Sequence, residues 1–217
     1  MKPQKLPQQH VHQDLPKVVS KHLVSPWLRL VAAHTAQAFA AIHAQVEASA
    51  KPLILDSCCG TGDSTRYLAS RFPDALVIGI DKSAHRLQRY RHSHVQNCLI
   101  VQADVNDFWR LAVEADWQPV RHFLLYPNPY PKASQLRKRW YGSPAFPSLL
   151  ALGGVLTVRS NWLIYIEEFA LALKVAGYAA SWRTVVDAAG ITAFETKYAE
   201  RGHRLLEMVC DLQQPLP

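Results

Sequence analysis

The chain has 217 residues, 49% of them apolar and 19% charged, enough to bury a sizeable single core and unlike a disordered or fibrous protein. Lys and Arg outnumber Asp and Glu by 24 to 17, a net charge of +7, and that excess favours a phosphate-bearing partner over a cationic one. Cys58 and Cys59 are adjacent while Cys98 and Cys210 stand alone. This spacing suits neither a disulfide framework nor a zinc site, so reduced thiols in a cytoplasmic protein without bound metal are expected.

The N-terminal MKPQKLPQQHVHQDLPK lacks the apolar core of a signal peptide. Residues 1–20 are expected to form a polar, mobile arm ahead of one domain over 21–217. No apolar stretch is long enough to span a bilayer, so no membrane partner is expected. From Trp27 to Ala50 the apolar spacing predicts helices, the second starting near His34.

A regular alternation then begins. PLILDSCCG, LVIGID, CLIVQAD and VRHFLLY read as four buried strands, each followed by a predicted helix or turn: DSTRYLASRF, SAHRLQRYRHSH, VNDFWRLAVEA and a proline-rich segment. SPAFPSLLALGG predicts a short helix closed by glycines, VLTVRS a fifth strand, and IYIEEFALALKVAG an amphipathic helix ending at Gly177. YAASWRTVV and RLLEMVCDL complete the count as strands flanking a loop near 187–203. With no long helix between them they predict an antiparallel edge. The fold class is therefore α/β: a doubly wound, mostly parallel, seven-stranded Rossmann-like sheet with an antiparallel C-terminal edge.

In such a sheet ligands bind beyond the carboxyl ends of the strands. Those ends carry Asp56, Asp81, Asp104 and Asn128 in succession, with Gly60 and Gly62 just after the first. Each aspartate alone could be a helix cap; three around one crevice point to a ligand rich in donors. The glycines spell G-x-G without the third glycine of the pyrophosphate fingerprint, because Thr65 stands there, and no P-loop lysine follows. A ribose and adenine without phosphate fit better, with Asp81 on the ribose hydroxyls, Asp104 on the adenine amine and Asp56 facing positive charge, as S-adenosyl-L-methionine would present. The candidate cofactor residues are Asp56, Cys58, Gly60, Gly62, Asp81, Lys82, Asp104, Val105 and Asn128; Cys58 is included as a small residue of the loop, without chemistry.

The stretch LLYPNPYPKASQLRKRWY ends the fourth strand in three prolines and then supplies Lys132, Arg137, Lys138 and Arg139 without an acid. A rigid turn bearing an amide, followed by concentrated cations, reads as a reacting end beside a polyanion, with structured RNA as partner.

DSCCGTG with GID downstream, PNPYPKASQLRKRW, and TKYAERGHRLLEMVCDL together resemble the bacterial tRNA (guanine-N7-)-methyltransferases, a family of class I S-adenosylmethionine-dependent methyltransferases, over about residues 50–212. The first motif is shared by many methyltransferases; the order and distance of the other two are specific. The resemblance implies methylation of guanine N7 in tRNA, with Asn128 at the catalytic turn. Substrate contacts would come from Lys132, Arg137, Arg139, Asn161, Thr196, Lys197, Glu200 and Arg201. Three positions depart from the family's acidic pattern: Asn128, Asn161 and Ala199 stand where carboxylates are usual. Asn128-Pro129-Tyr130 is also similar to the N-P-P-Y turn of exocyclic-amine methyltransferases, one proline short, and a relative that binds cofactor and RNA without turnover is a third reading. The sequence is compatible with a monomer or a homodimer.

Overall fold

The computed structural model describes residues 7–90, 95–186 and 188–216. Helices α1 (Leu15–Val24) and α2 (Ala33–Glu47) precede β1 (Leu53–Ser57), α3 (Asp63–Arg71), β2 (Leu76–Asp81), α4 (Ala84–Leu87), β3 (Cys98–Gln102), α5 (Val105–Glu114) and β4 (Arg121–Leu125). Two 3-10 turns (Ala133–Lys138 and Trp140–Gly142) lead to α6 (Phe146–Ala151), β5 (Val155–Ser160), α7 (Leu163–Val175), β6 (Tyr178–Thr184), α8 (Ala193–Glu200) and β7 (Leu206–Pro215).

The seven strands form one sheet in the order β3-β2-β1-β4-β5-β7-β6. The first five pair parallel, and β7 runs antiparallel to both β5 and β6. This is the expected α/β class with its antiparallel edge. The strand order reverses between β1 and β4, so a crevice opens there. Every residue of β1 and β2 is buried, which explains their unbroken apolar runs. Alternate side chains serve opposite faces: Leu55, Ile78 and Ile80 join the main core with Phe108, Leu156 and Phe169, whereas Ile54 and Val77 pack on Leu68 and Ala69 of α3. Each such fully buried aliphatic contributes about 1.5–3 kcal/mol.

Four local expectations are revised. Residues 15–20, expected within the mobile arm, belong instead to α1 (Leu15–Val24). Leu15, Val18 and Val19 share one helix face and pack into the core, with Leu15 and Val19 fully buried. Asp14 occupies the N-cap position and Pro16 lies in the first turn, both suited to a helix start. Upstream, the Gln8 amide N–H donates to Pro131 O at 2.8 Å, and the Gln8 side chain and His12 N–H both reach Glu168 of α7, at 2.5 and 2.7 Å. Residues 1–6 lie outside the described residues.

Second, residues 26–32 are not helical. Arg29 and the Ala32 N–H fasten that segment to Asp107, at 2.6 and 3.1 Å. Third, the helix expected over 83–94 is realised as the single turn α4, because the stretch has no apolar face to bury and none of its helical residues is buried; residues 91–94 lie outside the described ones. Finally, the loop expected near 187–203 contains α8.

Among the described residues no helix is long and apolar enough to cross a membrane, and no group of three or more His, Cys, Asp or Glu is placed to hold a metal ion.

Candidate functional site

At the carboxyl end of β1 the chain turns through Cys58, Gly60 and Gly62, with φ of 67°, 62° and 76°, before α3 starts. Cys58 N–H and Cys59 N–H bond to Ile80 O at 2.7 and 3.1 Å, tying the loop to β2. Only glycine suits position 62: besides the left-handed φ, an added Cβ would lie 2.5 Å from the Tyr90 ring. At Gly60 nothing would obstruct a Cβ, so there glycine serves the backbone turn and leaves the loop bare toward the crevice.

Asp81 is buried at the end of β2 and organises this loop. One oxygen accepts from Gly60 N–H at 3.0 Å, and the other from Ser83 N–H at 2.8 Å and from Arg86 at 3.1 Å. Asp104 caps α5, accepting from Asn106 N–H at 2.9 Å and its side-chain amide at 2.7 Å, with Arg29 at 3.6 Å. Asp56 behaves differently. Ser64 and Thr65 hydroxyls both donate to the same oxygen at 2.7 Å, while the other oxygen is buried without a hydrogen bond. Burial first, and then the nearby charge of Asp81, push its pKa up to about 6 against those two hydrogen bonds.

These strand ends frame a cavity of about 940 Å³. Cys58, Gly60, Asp81, Lys82, Asp104 and Val105 line one end; Asn128, Tyr130, Trp140 and the start of α8, Thr192–Phe194, line the other. Asp56 and Gly62 sit behind this lining. Burial pushes the Cys58 thiol up to about 12, so it is no nucleophile near neutral pH. The buried His122–Ser57–Trp109 chain, in which Ser57 Oγ meets His122 Nε2 at 2.8 Å and accepts from Trp109 Nε1–H at 3.0 Å, belongs to the core; burial holds His122 down at about 3 and therefore neutral.

The residues present fit S-adenosyl-L-methionine. Gly60 gives close backbone approach, Asp81 and Asp104 offer acceptors at neighbouring strand ends, and an orphaned carboxylate oxygen of Asp56 lies beneath the loop, where a ligand cation would stabilise it. Arg86 already occupies one Asp81 oxygen at 3.1 Å, so a ligand hydroxyl donating to that oxygen would compete with the ion pair.

At the far end, Tyr126 and Tyr130 adopt φ of 52° and 46° around the proline turn. Asn128 is exposed to the cavity, its oxygen accepting from Tyr130 N–H at 3.1 Å. That bond fixes the amide orientation and leaves its NH2 facing away. Arg137 and Lys138 also line the cavity, whereas Lys132 is exposed outside it.

Arg139 overturns its expected role as an RNA contact. It is fully buried: its guanidinium pairs with Glu168, donates to Tyr130 O at 3.0 Å and Lys132 O at 3.2 Å, and stacks 5.1 Å from the Trp162 ring centroid. It cannot reach a phosphate; it holds the turn that carries Asn128. Asn161 bonds to His203 at 3.1 Å, and neither it nor Thr196, Lys197, Glu200 and Arg201, all exposed on or after α8, lines the cavity.

The site also contains residues that the sequence reading passed over. Thr192 caps α8 by accepting from Glu195 N–H at 3.0 Å, a T-x-x-E signal visible in the sequence. Glu195 is fully buried and pairs with Arg159 at 2.9 Å; Arg159 pairs with Glu207 at 2.6 Å and Glu207 with Arg183 at 2.8 Å. This chain of charges fastens α8 to β5, β7 and β6.

A family model described as "Putative methyltransferase" matches residues 50–211. Trans-aconitate 2-methyltransferase from Methylobacterium radiotolerans is 36% identical over 121 residues, 54% of this chain and 40% of that protein. Its counterpart from Escherichia coli K12 is 34% identical over 113 residues, 51% and 40% of the two chains. The match thus spans about two fifths of these relatives. In fold, the chain is similar to the 16S rRNA methyltransferase KamB, with TM-score 0.56 and 18% identity over 82% of this chain and 94% of that one. It is also similar to a 16S rRNA (adenine(1408)-N(1))-methyltransferase from Catenulisporales acidiphilia with cosubstrate SAM, with TM-score 0.53 and 17% identity over 80% and 90%.

Proposed function

Because this chain belongs to the family of the tRNA (guanine-N7-)-methyltransferases, class I enzymes that use S-adenosyl-L-methionine, we propose that it methylates RNA, with guanine N7 of tRNA as the acceptor. The observation that carries the RNA reading is the charge of the cavity. Arg66, Lys82, Arg86, Arg89, Arg137 and Lys138 line it, against Asp63, Asp81 and Asp104, and Lys132 extends the positive surface beyond it. On the strand-end side Arg66 pairs with Asp63 and Arg86 with Asp81, whereas Arg137 and Lys138, on the segment after the proline turn, have no acidic ion-pair partner among the described residues. Such a division suits a cofactor on one side and a phosphate backbone on the other.

The cofactor supplies an electrophilic methyl on a sulfonium. The protein's work is alignment, since guanine N7 carries a free lone pair and needs no general base. Asp81 and Asp104 position the nucleoside portion. Asn128, its carbonyl held by Tyr130 N–H, presents NH2 donors suited to an acceptor such as guanine O6, orienting N7 toward the methyl. The prolines and buried Arg139 keep this turn in place with little residual entropy to lose.

Two of the matched relatives carry the name trans-aconitate 2-methyltransferase, and a cationic cavity would also attract a small polyacid. The basic surface outside the cavity favours the polymer. Incubation with labelled cofactor and total tRNA, followed by nucleoside mass spectrometry, tests the proposal. N7-methylguanine is expected. An N-methylated exocyclic amine would change the acceptor; methylation of trans-aconitate alone, or of nothing, would overturn the reading.

A further inference from the structure

Phe194 is a large aromatic left 47% exposed, and it lines the cavity from the first turn of α8. Its neighbour Glu195 is fully buried and ion-paired. Adjacent helical residues point about 100° apart, so anchoring Glu195 in the protein directs Phe194 toward the cavity. The Thr192 cap fixes the same turn. One helical turn on, the Tyr198 ring stacks behind Phe194 at 6.1 Å and 25° between planes; Tyr198 in turn meets Tyr126 at 6.0 Å and His203 at 5.3 Å. The phenyl ring is therefore backed by other rings on one side and open to the cavity on the other.

An isolated exposed phenylalanine needs no explanation. This one is held out by a buried ion pair at the next residue, in a cavity that also receives Asn128 and Tyr130. Flat apolar faces in a cationic groove are what an unstacked nucleobase requires, because every base offers a π-face while its phosphates need cations. A small polyacid would gain nothing from the ring.

We propose that Phe194 is the platform on which the methyl-accepting base stacks once it leaves its neighbours in the RNA, its edge then turned to Asn128. This inference rests on the RNA reading given above.

Initial rates on total tRNA, with cofactor affinity measured separately by calorimetry, test it. Phe194→Ala should raise the KM for RNA by about five- to a hundredfold, the range for loss of one base–aromatic stack, with cofactor Kd moving less than twofold. The dependence of RNA binding on salt should keep its slope, because no phosphate contact is lost. Phe194→Leu should resemble Phe194→Ala, and Phe194→Trp should recover most of the loss, since planarity and not apolar bulk is required. An unchanged KM in Phe194→Ala, or leucine serving as well as tryptophan, overturns the stacking role while leaving RNA methylation intact. Failure of the unmodified protein to methylate RNA overturns the RNA reading and this inference with it.

Discussion

Arg139 and Glu168, 29 residues apart in the chain, form an ion pair in which both side chains are fully buried. Glu168 also accepts from Tyr141 OH at 2.6 Å and from Gln8 and His12, so one carboxylate joins the N-terminal segment, the basic turn and α7. Removing one charge strands the other. Glu168→Ala should lower stability by about 3–5 kcal/mol, and the double change Glu168→Leu with Arg139→Met by clearly less. Urea unfolding of the two variants measures this; equal losses in the single and the double variant would mean that the pair is not what holds the turn.

Arg139 stands beside Arg137 and Lys138 but should behave unlike them in RNA binding. Changing Lys132, Arg137 and Lys138 to Ala should reduce the slope of log affinity against log salt by up to about 2–3 units, at roughly 0.7–0.9 per phosphate. Arg139→Ala should instead lower the melting temperature. A salt titration and a thermal melt separate the two classes.

Asp81→Ala should weaken cofactor binding by about 1.5–3 kcal/mol, the range for hydrogen bonds to a charged group. Arg86→Ala provides the contrast: without its guanidinium an Asp81 oxygen is freed, and affinity should rise. Calorimetry with S-adenosyl-L-methionine reads both, and a loss in Arg86→Ala would make that arginine a ligand contact instead of a competitor.

Asp56 predicts a pH effect. Its pKa in the folded protein is raised to about 6, so its protonation favours the native state: this contribution is full below the unfolded value near 3.9 and is lost as pH rises through about 6. A cationic ligand favours the ionised form, so binding should release a proton and weaken by up to about fivefold from pH 6 to pH 5. Calorimetry in buffers of different ionisation enthalpy detects the proton, and Asp56→Asn should abolish both its release and the pH dependence.

At Asn128 the choice is between a donor and a charge. A carboxylate near the cation that forms on the methylated ring is worth about 4 kcal/mol at 4 Å with an effective dielectric of 20, against about 0.5–1.5 kcal/mol for a neutral hydrogen bond. Asn128→Asp should therefore accelerate guanine-N7 methylation, by at least about tenfold after losses from desolvation, and Asn128→Ala should slow it. Single-turnover rates decide, and a slower aspartate variant would identify the amide donor as the feature that matters.

The strand ends were legible because packing and chemistry leave different marks there: unbroken apolar runs stop at Asp56, Asp81 and Asn128, where the parallel sheet places the crevice. Helix α1 was hidden because Leu15, Val18 and Val19 are diluted by prolines, glutamines and lysines, and only a core to pack against makes their shared face decisive. Arg139 was indistinguishable from Arg137 and Lys138 by type; its direction is set by the 3-10 turns and by a glutamate on a helix the sequence does not place beside it. Phe194 carries no stronger mark in the sequence than the T-x-x-E signal of a single helical turn, and the partner that anchors Glu195 beside it, Arg159, is 36 residues away.

The hydrogen bond from Gln8 to Glu168 spans 160 positions, which sets an order on how the protein comes into being on the ribosome. The cofactor loop, β1, β2 and β3 can associate as soon as they emerge, but the proline turn cannot acquire its final support until α7 has been made and the first residues synthesised have come back to meet it. The proline-turn end of the crevice thus depends on contacts between distant parts of the chain, and a nascent chain stalled before α7 would lack the Glu168 carboxylate that holds both Gln8 and Arg139.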